Sequence, residues 1–306
     1  MEITILYDAH AEVGEGPAFD ARTGELRWVD ILRGQGWRAA AIAAADGTLA
    51  AHGAWQEELR VDTHIGAVLP TRDPGELLLV IRDGFVRHDR ATGHRIPLAA
   101  PLRDRPLVRF NDAKVSPDGR AFATTMPYEA GTDAGELYRL DPDGATPILG
   151  DLGLGNGLGW SPDGRTMYVV DSTAHTVYRA DYDPTTGAVG EASPFLRLRL
   201  APDAIPDGMC VDDEGGLWLA IMGGGRLERY LPDGTPDRQV LLPVRSPTSV
   251  CFAGAGLDTL IVTSLSYRYS AADHAADPHA GAVLAITGLG VTGPAATPWE
   301  PATAGL

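Results

Sequence analysis

Asn156-Gly157-Leu158-Gly159-Trp160-Ser161-Pro162-Asp163-Gly164-Arg165-Thr166-Met167-Tyr168-Val169-Val170-Asp171 reads as two short strands joined by a tight turn. Pro162 fixes φ and Gly164 permits positive φ, so Pro-Asp-Gly marks a bend between apolar runs. Thr176 to Asp181 predicts a further strand, and Asp183-Pro184-Thr185-Thr186-Gly187 the next turn. The same order recurs from Asn111, with Ser116-Pro117-Asp118-Gly119-Arg120 as its turn and Glu136 to Asp141 as a later strand. It recurs again from Asp207, with Asp213-Glu214-Gly215-Gly216 and then Arg226 to Tyr230. Looser copies start at Glu15, His64 and Thr248.

Successive starts are 49, 47, 45, 51 and 41 residues apart. Units of about 40–50 residues holding some four strands each are propeller blades. The expectation is an all-β, six-bladed β-propeller filling residues 1–306 as one domain. An open solenoid is the rival; a closed ring is preferred because no helical caps are present to cover its ends. No long amphipathic helix is legible.

Each unit opens on a polar residue followed mostly by small or apolar ones: Glu15-Gly16, His64-Ile65, Asn111-Asp112, Asn156-Gly157, Asp207-Gly208 and Thr248-Ser249. In a propeller the first strand of each blade lines the central channel, so these six side chains converge. Convergent polar groups in a concavity mark a site. Glu15 and Asp207 would repel as ions unless a cation lay between them. With the amide oxygen of Asn156 they suit a hard divalent cation such as Ca²⁺, Mg²⁺ or Mn²⁺. Singly, Asn-Gly and Asp-Gly are ordinary turn signals; their shared phase within one repeat favours a site.

Net charge is −16, with Lys114 the only lysine, and this argues against nucleic acid or anionic membrane as a partner. No apolar run approaches the ~18–20 residues of a membrane span. The start lacks a basic region followed by a long apolar run, so a cytoplasmic location is the default expectation. Two cysteines, Cys210 and Cys251, are too few for a disulfide framework or a cysteine-based zinc site, and read as small core residues. No Gly-x-Ser-x-Gly is present to suggest a serine nucleophile. Gly223-Gly224-Gly225 lacks the following Lys-Ser/Thr of a phosphate loop and predicts a hairpin turn.

Gly14-Glu15-Gly16-Pro17-Ala18-Phe19-Asp20, Arg109-Phe110-Asn111-Asp112-Ala113-Lys114-Val115, Asn156 to Ser161 and Pro206-Asp207-Gly208-Met209-Cys210-Val211-Asp212 resemble signature segments of the SMP-30/gluconolactonase/regucalcin family. Ile81 to Phe85, Pro247 to Phe252 and His279 to Leu284 resemble it too, and the likeness runs in one register from about residue 13 to about 290. The resemblance implies a six-bladed propeller that hydrolyses sugar lactones with one divalent metal (Ca²⁺, Zn²⁺, Mn²⁺ or Mg²⁺). It implies Glu15, Asn156 and Asp207 as metal ligands, with Asp207 also the acid/base residue. It implies Arg109, Asn111 and Glu129 as sugar contacts. His64 is read either as a further substrate contact or as part of the channel wall. Ala113 and Thr124 stand where the family commonly has glycine, and are expected to add bulk beside the substrate contacts. Two other readings stay open: an enzyme acting on a non-sugar lactone or a phosphotriester at the same metal site, and a metal-binding propeller without activity. The stretch from Tyr267 to Pro278 is expected to be a long loop, either a lid or plain surface. No feature sets an oligomeric state.

Overall fold

The computed structural model describes residues 1–39, 55–129, 131 and 133–301. Its strands form six antiparallel sheets, five of them consecutive in the chain. Blade one comprises Gly14–Asp20, Glu25–Asp30, Gln35–Ala39 and Trp55–Arg60. Blade two comprises Ile65–Pro70, Glu76–Ile81, Gly84–Asp89 and Arg95–Ala99, and blade three Val108–Val115, Ala121–Pro127, Gly135–Asp141 and Gly144–Leu152. Blade four runs Gly155–Trp160, Thr166–Asp171, Thr176–Asp183 and Ser193–Arg197, with Ala188–Val189 beside it; blade five runs Ile205–Val211, Leu217–Met222, Arg226–Tyr230 and Pro236–Leu241. The expected propeller is therefore present.

Blade six closes the ring. Its inner strands are Pro247–Ala253, Thr259–Ser264 and Val283–Thr287, and its outermost strand is Glu2–Tyr7 from the other end of the chain. Tyr7 stacks on Trp28 of blade one at 5.2 Å, so this strand also grips the neighbouring blade. Ring closure by a strand from the far end was not legible, because Glu2 to Tyr7 carries no turn signal tying it to Val283–Thr287.

The first strand of every blade is bent at its polar position or, in blade two, just after it. Register shifts fall between Glu15 and Ala18, Ile65 and Ala67, Phe110 and Ala113, Gly155 and Leu158, Pro206 and Met209, and Pro247 and Val250. A bulge twists the strand and re-aims one side chain out of the alternation. Glycine beside the polar residue lets the next blade approach. A Cβ on Gly66 would lie 2.2 Å from the Asn111 carbonyl oxygen, and one on Gly157 would lie 2.6 Å from the Met209 nitrogen and 2.8 Å from the Asp207 carbonyl oxygen. The small residues of the repeat are thus what packs six inner strands around one axis.

The cores lie between blades, as in the set Leu78, Val80, Phe85, Phe110, Ala123 and Tyr138 joining blades two and three. The segment from Tyr267 to Pro278 holds the one helix among the described residues, Ala271–Ala276, opened by a capping box between Ser270 and Asp273. Tyr269 Oη donates to Asp277 Oδ2 at 3.2 Å and lies 3.3 Å from Ser246 Oγ, so the segment is tied to its own blade. Gly223-Gly224-Gly225 is the expected hairpin turn between Leu217–Met222 and Arg226–Tyr230. Among the described residues no helix is long and apolar enough to cross a membrane.

Candidate metal centre

All six inner strands run in the same sense along the channel, so residues early in each strand meet at one end. Glu15, Asn156 and Asp207 occupy such positions and are each 5% exposed or less. The Glu15 carboxyl is pushed well above the usual carboxylate range by burial, and then by the charges of Asp207 and Asp112. The Asp207 carboxyl is likewise raised by burial and by Asp112, against opposing hydrogen bonding from Asn156 and the nearby charge of Arg109. The three expected ligands are thus brought together.

Asn156 supplies the test of whether they fit a cation. Its Nδ2 donates to Ser172 Oγ at 3.1 Å, which fixes the amide orientation. Its Oδ1 is buried and has no hydrogen-bond partner. A buried acceptor left unsatisfied costs roughly 1–3 kcal/mol. Two carboxylates unfavourable as neighbouring ions, beside an amide oxygen without a donor, fit one divalent cation that satisfies all three. Among the described residues no group of three or more His, Cys, Asp or Glu side chains is placed to hold a metal, so the neutral oxygen of Asn156 is what completes this set. Sequence reading missed Ser172, whose role depends on the strand beside Asn156 rather than on its own segment.

The raised carboxyls give a pH dependence with a definite sign. Their pKa values are higher folded than unfolded, so without metal the folded state binds more protons, and this contribution to stability is lost as pH rises through the folded values. A cation favours the ionised carboxylates, and protons compete with it at low pH. The rise in melting temperature on adding metal to chelator-stripped protein is therefore larger at pH 8 than at pH 5. Equal shifts at the two pH values would contradict the pairing of these carboxyls with the metal.

Arg109 lies 7% exposed beside this set, and its Nη1 donates to Asn111 Oδ1 at 2.8 Å and to the Phe110 carbonyl at 2.9 Å. Burial lowers its guanidinium to about 10, opposed by Tyr128, Glu15 and Asp207. Asn111 Nδ2 donates in turn to the Gly155 carbonyl at 3.1 Å. The pair is thus held by blades three and four next to the carboxylates. His64 is half-buried, and its Nδ1 lies 2.8 Å from Tyr128 Oη, with the two rings 5.5 Å apart. Burial, then Arg109 and Arg82, holds the His64 imidazole below its ordinary range. Tyr128 is 41% exposed and acts on Arg109, so His64 and Tyr128 form a partly open rim beside it. The pairing of Tyr128 with His64 across two blades leaves no local signal in the sequence. Glu129 follows Tyr128 and is exposed, and Ala130 and Thr132 beyond it lie outside the described residues.

Two expectations, for Thr248 and Ala113, need correction. Thr248 Oγ1 donates to the Gly14 carbonyl at 2.5 Å and meets Thr263 Oγ1 at 2.9 Å, so it fastens blade six to blade one instead of presenting a free hydroxyl to the channel. Thr124 is fully buried, and its Oγ1 donates to the carbonyls of Asp112 and Asn156 at 3.3 Å each. It braces the backbone behind a candidate ligand and lies beside Gly155, whose carbonyl accepts from Asn111. Ala113 packs in the core of blades two and three, further along the channel from the carboxylates.

A model of the SMP-30/Gluconolactonase/LRE-like region matches residues 13–266. The chain belongs to the SMP-30/gluconolactonase/LRE-like family. Within that family it is 34% identical to regucalcin of Danio rerio, covering 92% of each chain. It is 36% identical to a pentonolactonase of Haloferax volcanii, covering 86% of this chain and 85% of that one. A crystal structure of regucalcin from Agrobacterium tumefaciens, described as a calcium-binding protein, superposes with a TM-score of 0.87 at 28% identity, covering 97% of this chain and 96% of that one. These relatives span nearly the whole propeller, so the ring and its channel belong to the family fold.

Proposed function

We propose that this protein hydrolyses a sugar lactone to the open aldonic acid, using one divalent cation held by Glu15, Asn156 and Asp207. The observation that carries the proposal is the buried, unpartnered Oδ1 of Asn156 beside two carboxyls that burial and mutual charge disfavour as ions. The relatives that bear lactonase names supply the reaction class.

A cation bound there would supply Lewis-acid polarisation of the lactone carbonyl. Asp207 takes a proton from the attacking water as its oxygen bonds to the acyl carbon. When the ring carbon–oxygen bond breaks, Asp207 returns that proton to the departing ring oxygen. Arg109 directs donors at sugar hydroxyls through its planar fork. Asn111, already accepting from Arg109, holds that fork in place and presents its own amide. Glu129 accepts from hydroxyls at the outer edge. His64 and Tyr128 border the entrance and limit what lies over the ring.

Titration of acid release from a panel of aldono-1,4- and 1,5-lactones tests the proposal, with a non-sugar lactone and a phosphotriester run alongside. Turnover of at least one aldonolactone at a kcat/KM above the other two classes is expected. Turnover of the phosphotriester alone, or tight metal binding with no turnover on the panel, would overturn it. Arg109→Met is expected to raise KM by about tenfold or more, the loss of hydrogen bonds to a charged donor, while metal affinity does not fall. A matching loss of metal would show that Arg109 belongs to the cation site.

A further inference from the structure

The later halves of the same inner strands line a cavity of about 230 Å³, further along the channel from Glu15, Asn156 and Asp207, with Gly16 and Asp112 among its lining residues. Residues 294–297 add to its lining. Its walls are mainly apolar, from Ala18, Ala113, Cys210, Cys251 and Phe252. Lys114 is set in this wall. The chain carries its positive charge on twenty-four arginines and this single lysine. Lys114 Nζ donates to the Met209 carbonyl at 2.6 Å, across from blade three to blade five, and its charge also acts on the buried Asp112 carboxyl two residues before it. An ammonium has three donors, so two remain for a ligand.

The carboxylates nearby are differently placed. Asp212 accepts from Arg229 Nε at 2.7 Å and from Trp218 Nε1 at 2.9 Å. Asp213 sits exposed at the rim and accepts from Thr292 Oγ1 at 2.6 Å. Asp112, also on the wall, has one oxygen, Oδ2, without a partner. The walls do not suit a polyhydroxyl sugar, since they would leave most hydroxyls unsatisfied. An apolar cavity of about 150 Å³ takes up benzene, so 230 Å³ has room for a ring bearing one small charged group. The geometry points to a binding site here for a small monocarboxylate with an apolar body, its carboxylate on Lys114. This site does not depend on the lactonase reading.

Benzoate is the probe, with benzamide as its neutral counterpart and benzylamine as its cationic one. Calorimetric titration of the intact protein should show saturable benzoate binding, with benzamide and benzylamine each at least about tenfold weaker, as expected for a charge-assisted contact. Because Lys114 is the only side-chain amine, its acetylation by acetic anhydride, read by mass spectrometry, reports occupancy at this site alone; benzoate should slow it. Lys114→Met should weaken benzoate about tenfold or more. As that change also removes a donor from Met209, Cys251→Leu provides the second variant: it fills the cavity, should abolish benzoate binding, and should leave lactone turnover unchanged. Asp207→Asn, at the cation site, should keep benzoate binding. Benzylamine binding as tightly as benzoate would assign the site to a cation through Asp112 and overturn the inference. So would unslowed acetylation of Lys114 at saturating benzoate, or benzoate binding unchanged in Cys251→Leu.

Discussion

Asp207→Asn should lower kcat for lactone hydrolysis by about 10³-fold or more, while the protein stays folded. A positioned general base alone contributes roughly 10²–10⁴-fold, and this residue is also proposed to hold the cation. The amide matches the carboxylate in shape, so packing within Ile205–Val211 is kept. It also removes a buried acid that repels Glu15 and Asp112. The metal-free variant should therefore melt no lower than the metal-free parent near neutral pH, while the rise on adding metal shrinks. Acid-release kinetics and melting with and without metal read both effects. A kcat within about tenfold of the parent would remove Asp207 from the chemistry.

Arg229→Met should destabilise the fold by about 3–5 kcal/mol, the cost of stranding one member of a buried ion pair. Arg229 is 2% exposed and lies in the third strand of blade five. Its Nε donates to Asp212 Oδ2 at 2.7 Å, Nη1 to Asp237 Oδ2 at 2.8 Å and Nη2 to Glu214 Oε2 at 2.7 Å. Its guanidinium also lies 5.9 Å from the centre of the Trp218 ring. Methionine fills similar volume but leaves Asp212, 1% exposed, with only Trp218 and backbone donors. Glu214 has a 63% exposed side chain and can turn to water, so most of the penalty falls on Asp212. Equilibrium unfolding in urea measures it. A change under about 1 kcal/mol would mean that water reaches Asp212 once the arginine is gone.

The blades were legible because Pro-Asp-Gly turns and short apolar runs are local signals that repeat. Glu15, Asn156 and Asp207 were legible as a set because they share one phase of that repeat. Strand alternation could not reveal the bulges at these positions, because a bulge is defined by the partner strand, where two residues face one. The same limit explains Thr124. Its hydroxyl bridges the inner strands of blades three and four through the carbonyls of Asp112 and Asn156, which its own segment does not contain. Tyr128 and His64 stand 64 positions apart and meet only because their blades are neighbours. The expectation for Lys114 was equally local: it was noted as the sole lysine, while its span to Met209 required the closed ring.

The central claim is that this propeller opens lactones with a cation held at the Asn156 end of its channel. The most direct measurement is lactone turnover by chelator-stripped protein as Ca²⁺, Mn²⁺, Mg²⁺ and Zn²⁺ are returned singly, with Asn156→Leu in parallel. The expected result is no turnover when stripped, saturable recovery with at least one cation at one per chain, and a loss of that recovery at the same concentrations in Asn156→Leu. Turnover that survives stripping, or recovers equally in Asn156→Leu, would contradict it.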